Sequence, residues 1–186
     1  TYLVGESYGG FRAARLPGLL ARKHGIGIAG LFLVSPVLEF SLISIDSLAL
    51  LPEVLRLPSY AAVRLEQSGT PAPEALAEVE RFALGPYLAA LAATPRDFAA
   101  LAALYPEIAR HTGVPEAVIA EHQGHVPIAI FQREARRPDK LVISRYDGSA
   151  TADAGPDSER ARGDALFDGL RALLAQAMTG YLAGEL

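Results

Sequence analysis

The alternation of hydrophobic and polar positions changes period several times along the chain, and each change marks an element. Thr1-Tyr2-Leu3-Val4 is a β-branched and aromatic run, which reads as a buried strand. From Phe11 onward the spacing is helical, and Gly25 supplies the stop for a helix over residues 10–24. Pro17 lies inside that helix and removes the hydrogen bond to the Ala13 carbonyl, at a cost of roughly 3 kcal/mol, so a kink or break is expected there. Residues 26–34 are a continuous apolar run containing Gly27 and Gly30, the pattern of a parallel strand covered on both faces. Residues 2–34 thus predict strand, helix, strand with a right-handed crossover.

Beyond Pro36 the period is helical. Helices are expected over 48–56 and 59–67, separated by Leu57-Pro58, with a loop over 68–73. Residues 74–93 place Leu76, Val79, Phe82, Ala83 and Tyr87 at helical spacing. Thr94-Pro95-Arg96-Asp97 has the composition of a cap with proline at the first helical position. The helix it starts should bury Phe98, Leu101, Leu104 and Tyr105 and end at Gly113. Short helices follow from Pro115 and near residues 127–135. Residues 140–146 are strand-like, and the Gly-, Ser-, Ala- and Asp-rich stretch 147–163 predicts a mobile loop. Leu166, Leu170, Leu173, Leu174, Met178, Tyr181 and Leu182 predict a final amphipathic helix. Two strands do not make a stable sheet in water, so their edges are expected to pair with further parts of the protein or with a second copy.

Composition narrows the function classes. With 51% hydrophobic and 20% charged residues the 186-residue chain is globular. A net charge of −4 and no run of Lys and Arg argue against nucleic acid as a partner. No apolar stretch approaches the ~18 residues of a membrane span, and no basic-then-apolar leader pattern is present at the start. The chain has no cysteine, so neither disulfides nor thiolate metal sites are available, and no pattern calls for a cofactor.

One motif carries chemistry. Gly5-Glu6-Ser7-Tyr8-Gly9-Gly10 fits G-x-S-x-G, the strand-to-helix turn that presents a nucleophilic serine, and it sits between a predicted strand and a predicted helix. In that geometry Ser7 occupies a strained turn, and side chains at Gly5 and Gly9 would collide as strand and helix pass. A serine hydroxyl needs a base, usually His, oriented by an acid. The backbone N–H of Tyr8 would supply one oxyanion donor at the start of the helix. The bland alternative is a serine that merely occupies a tight turn. For Glu6 it is an ordinary contact at a helix N-terminus.

None of the four histidines takes the role of base by position. His24 and His111 fall at helix ends, and His122 and His125 flank the turn at Gln123-Gly124. A His122/His125 metal pair fits by spacing but has no evident third ligand. Asp147 follows a strand-like run and reads as a turn residue.

Glu-Ser-Tyr-Gly-Gly after a strand resembles the serine carboxypeptidase family, the S10 type of peptidase. Arg12-Ala13-Ala14, Leu31-Phe32-Leu33-Val34-Ser35, Leu57-Pro58-Ser59-Tyr60-Ala61-Ala62 and the segment from Glu78 to Gly85 are similar to its bacterial branch. The lack of cysteine fits that branch better than the disulfide-rich eukaryotic one and leaves the compartment open. The resemblance implies an α/β class: a partial α/β-hydrolase core over residues 1–40, a mainly helical cap region over 41–140, and a strand-like run, loop and helix over 141–186 that return to the core. It implies release of the C-terminal residue of a peptide through an acyl-enzyme on Ser7, without metal or cofactor. Substrate would be bound by Gly5 and by Glu6, the latter as half of a proton-sharing acid pair that grips the free carboxylate. The other acid would lie upstream of Thr1 and the triad Asp and His beyond Leu186, so the chain is expected to be an inactive central fragment. An esterase or acyltransferase of the same fold, and a non-catalytic helical interaction module, remain the alternatives.

Overall fold

The computed structural model describes residues 1–43, 50–69, 73–93, 97–155 and 164–185. The chain is mainly helical with two small sheets and divides into two units, Thr1–Pro52 and Glu53–Leu186.

In the first unit β1 (Tyr2–Glu6) pairs in parallel with β2 (Gly30–Val34), Tyr2 opposite Gly30 and Glu6 opposite Val34. The ring of Tyr2 lies where a side chain on residue 30 would stand, since a Cβ there would be 2.9 Å from Tyr2 Cε1. The apolar run from Ile26 contributes only its last five residues to the sheet. Contrary to the expectation of a strand covered on both faces, Phe32 and Val34 are exposed. Between the strands runs α1 (Tyr8–His24). Gly25 ends it in the left-handed conformation at φ 66°, and the amide of Ile26 returns to the Leu20 carbonyl at 3.2 Å, a Schellman-type closure. Arg22, Lys23 and His24 in the last turn match the negative end of the dipole. The helix does not break at Pro17; one missing hydrogen bond is tolerated within 17 residues of otherwise regular helix.

The second unit starts within α2 (Leu50–Gln67). Two helices parted at Pro58 are expected from the sequence, but a single helix runs through it. Val54, Leu57, Tyr60 and Ala61 form one buried face on both sides of the proline, and burying such side chains at about 1.5–3 kcal/mol for each large one outweighs one lost hydrogen bond. Phe131 stacks on Tyr60 with ring centroids 4.0 Å apart. Next comes α3 (Pro73–Phe82), which widens into a π-helical turn (Ala83–Tyr87) and continues as α4 (Leu88–Ala93). The wider turn houses Gly85-Pro86 and buries Tyr87, whose hydroxyl donates to the Gly124 carbonyl at 2.9 Å.

The single helix expected before Gly113 is two, α5 (Phe98–Ala102) and α6 (Tyr105–Thr112). Asp97 caps the first, accepting the Ala100 amide at 3.0 Å; Thr94-Pro95-Arg96 lie outside the described residues. Pro106 opens α6, where its missing N–H costs nothing. Leu101 is buried as expected, whereas Phe98 is exposed. Then follow α7 (Glu116–Glu121) and α8 (Ile128–Glu134), each with a proline at its N-cap. A short antiparallel hairpin of β3 (Leu141–Ile143) and β4 (Thr151–Asp153) occupies part of the stretch read from sequence as a loop; residues 156–163 lie outside the described residues.

The last helix is α9 (Ala165–Glu185). Asp164 caps it and ties it to the hairpin, accepting from the hydroxyl of Ser144, the amide of Arg145 at 2.6 Å and the amide of Leu166 at 3.1 Å. Burial works against a charge on Asp164, but the three hydrogen bonds outweigh it and hold the carboxyl below its usual range. Leu173, Leu174, Met178 and Tyr181 on α9 are exposed.

Candidate functional site

Ser7 stands between the end of β1 and the first residue of α1, with φ 53° and ψ −120°. Few L-residues adopt that conformation, which costs on the order of 1–3 kcal/mol and persists only when the surroundings impose it. Here they do so through the backbone. The Ser7 amide donates to the Val34 carbonyl at 3.0 Å, and the Ser7 carbonyl accepts the amides of Gly10 at 3.0 Å and Val37 at 3.1 Å. The turn after β1 is thereby tied to the turn after β2, where Ser35 also has positive φ, 42°. With its backbone consumed in this way, Ser7 presents its side chain to solvent.

The glycines divide differently from the sequence reading. A Cβ on Gly5 would lie 2.2 Å from the Gly9 carbonyl oxygen, so no side chain fits at position 5. A Cβ on Gly9 meets nothing within 4 Å, which corrects the expectation that both positions must be glycine. The second constrained glycine is Gly10, where a Cβ would be 2.6 Å from the Cβ of Pro36. The close approach is therefore between backbone and side chain in one direction only, and the G-x-S-x-G pattern does not reveal it.

Tyr8 opens α1, so its amide has no carbonyl four residues back inside the helix and faces outward at the positive end of the dipole. The arrangement can stabilise an anion developing next to Ser7. Glu6 is the last residue of β1 and is exposed; its carboxylate makes no hydrogen bond or ion pair among the described residues. The sequence reading missed a ring cluster beside the serine. Tyr8 stacks on Phe11 at 5.8 Å, and Phe40 meets both rings edge-on at 5.8 and 5.3 Å. The Arg15 guanidinium lies 5.5 Å from the Phe11 ring centre, within cation–π range. Tyr8 and Phe11 are a helical i, i+3 pair and were legible; Phe40 is not, because the fold back from β2 brings it in.

The histidines have other partners. His24 ends α1, about 25 Å along the helix from Ser7 at a rise of roughly 1.5 Å per residue. His111 is buried beside Phe82, with Nε2 3.1 Å from Glu107 Oε1. The ring of His122 faces the Val118 carbonyl at 2.9 Å through Nδ1. Asp147 accepts the amide and hydroxyl of Ser149 at 2.9 and 2.6 Å, which makes it a turn residue as read from the sequence. Among the described residues no three His, Asp or Glu side chains gather as a metal site.

No protein-family model, no curated protein and no solved structure matches the chain.

Proposed function

We propose that the chain carries the nucleophile of a serine carboxypeptidase-like hydrolase, with an α/β-hydrolase strand–elbow–helix at its first unit. The observation that supports this most is the exposed Ser7 held at φ 53°, ψ −120° between β1 and α1. A strained residue with its backbone fully used and its hydroxyl free is what a nucleophile on a turn requires.

In this reading Ser7 Oγ attacks the carbonyl carbon of the last peptide bond while a histidine takes its proton. The oxyanion is met by the Tyr8 amide. The amine then leaves with the proton returned by the histidine, and water releases the acyl group from Ser7. Glu6, sharing a proton with a second acid, holds the free carboxylate of the substrate, and Gly5 lets the turn close. In this reading the histidine, its aspartate and the acid partner of Glu6 would be supplied by further polypeptide, since no described residue hydrogen-bonds to the side chain of Ser7 or of Glu6.

The test uses the polypeptide with its encoded flanks beside the 186-residue chain. A fluorophosphonate should modify Ser7 in the longer protein within minutes and leave the shorter one essentially unmodified. Modification at another serine would remove the proposal.

A second reading, an esterase or acyltransferase, is favoured by the rings of Tyr8, Phe11 and Phe40 beside Ser7, which suit an apolar acyl chain. Glu6→Gln separates the two: a carboxypeptidase loses its preference for a free C-terminus, and an esterase does not change.

A further inference from the structure

The second unit holds a cavity of about 560 Å³, within the range of small-molecule sites. Its wall combines apolar surface from Leu65 and Ala75 with the guanidinium groups of Arg64, Arg110 and Arg136. Two of those cations are committed. Arg110 is held by Glu78 at 3.0 Å and Glu107 at 2.5 Å, and Arg136 by Asp139 at 2.6 Å. The Arg64 side chain has no hydrogen bond or ion pair among the described residues.

Arg64 nevertheless has a defined place. Its Nη1 lies over Gly113, where a Cβ would approach it to 2.7 Å, so the glycine that ends α6 leaves the room the guanidinium occupies. Glu107 shares Arg110 with Glu78 and does not reach Arg64. Of the three guanidinium groups on the wall, Arg64 is the one with no carboxylate partner among the described residues, and its planar fork matches a carboxylate. Apolar surface on the same wall suits the rest of such a molecule.

We infer that this cavity binds a small organic acid, its carboxylate taken by Arg64 and its apolar body laid against Leu65 and Ala75. The inference is independent of the chemistry assigned to Ser7.

The probe is 2-naphthylacetate, titrated calorimetrically into the whole chain, with 2-naphthaleneethanol as its uncharged analogue. One saturable site is expected for the acid. Arg64→Gln and the change from acid to alcohol should each weaken binding by about 10- to 100-fold, the range for a charge-assisted hydrogen bond. Arg64 is exposed, so the variant should melt like the parent. Ala75→Phe, which fills the cavity from its wall, should abolish binding in a protein that still folds. Equal binding of acid and alcohol, equal binding by Arg64→Gln, or no saturable binding would each overturn the inference.

Discussion

A Cβ placed on Gly5 would stand 2.2 Å from the carbonyl oxygen of Gly9, while one placed on Gly9 would touch nothing. The two glycines of the serine turn are therefore unequal. Gly5→Ala forces β1 away from α1 and should cost about 3 kcal/mol or more, a large value for one methyl group. Gly9→Ala adds a better helix former in open space and should stabilise by roughly 0.4–1 kcal/mol. Urea unfolding of both variants checks this; similar effects at the two positions would contradict the described backbone approach.

The strain at Ser7 has its own signature. Glycine adopts φ 53°, ψ −120° at far less cost than serine, so Ser7→Gly should raise the unfolding free energy by about 1 kcal/mol, after subtracting glycine's greater unfolded-state entropy. Ser7→Ala retains the strained backbone and should leave stability nearly unchanged. A Ser7→Gly variant less stable than Ser7→Ala would mean that the turn is relaxed.

Most of the local structure was legible, and the misses share a physical cause. The pattern around residues 1–34 predicts β1, α1, the Gly25 stop and β2 because each rests on local spacing and a cap. Pro17 and Pro58 mislead because a proline's local cost is visible in sequence, whereas the burial of Val54, Leu57 and Tyr60 that overrides it at Pro58 is not. Pro106 does the reverse: helical spacing spans residues 98–112, but the chain starts a new helix where the proline's absent amide is harmless. The hairpin at Thr151–Asp153 is hidden in a Gly- and Asp-rich stretch because its pairing with Leu141–Ile143 is what makes it a strand. At the site, Ser7 and Tyr8 follow from the motif. The tie to Val37 and the approach of Phe40 arise only when β2 folds back, so no local pattern announces them.

Acid should loosen the junction between the hairpin and α9 through Asp164. Its carboxyl is held below the ordinary 3.8 by Ser144, Arg145 and Leu166. A depressed folded-state value means stability that is fully present above the unfolded pKa and is lost as pH falls through the folded one. Asp164→Ala should therefore cost about 1 kcal/mol near neutrality, as for a lost helix cap, and progressively less below about pH 4. An effect that stays constant down to pH 2 would show that the charge on Asp164 is irrelevant.

Within the core, the Tyr60 hydroxyl is buried without a well-formed hydrogen bond among the described residues, the Arg56 guanidinium being near enough to act on it but not aligned with it. An unmet buried hydroxyl costs about 1–3 kcal/mol, and the ring itself keeps its stacking on Phe131 when the hydroxyl is removed. Tyr60→Phe should raise the urea midpoint without changing the slope of the transition. A lower midpoint would reveal a hydrogen bond at that oxygen.

The measurement closest to the main proposal is release of the terminal amino acid from a blocked dipeptide by the polypeptide bearing its encoded flanks. Ser7→Ala should lower kcat by about 10⁴-fold or more, as loss of a serine nucleophile does, with the protein still folded. Turnover by that variant within about tenfold of the parent, 1.4 kcal/mol in barrier height, would contradict the assignment of the chemistry to Ser7.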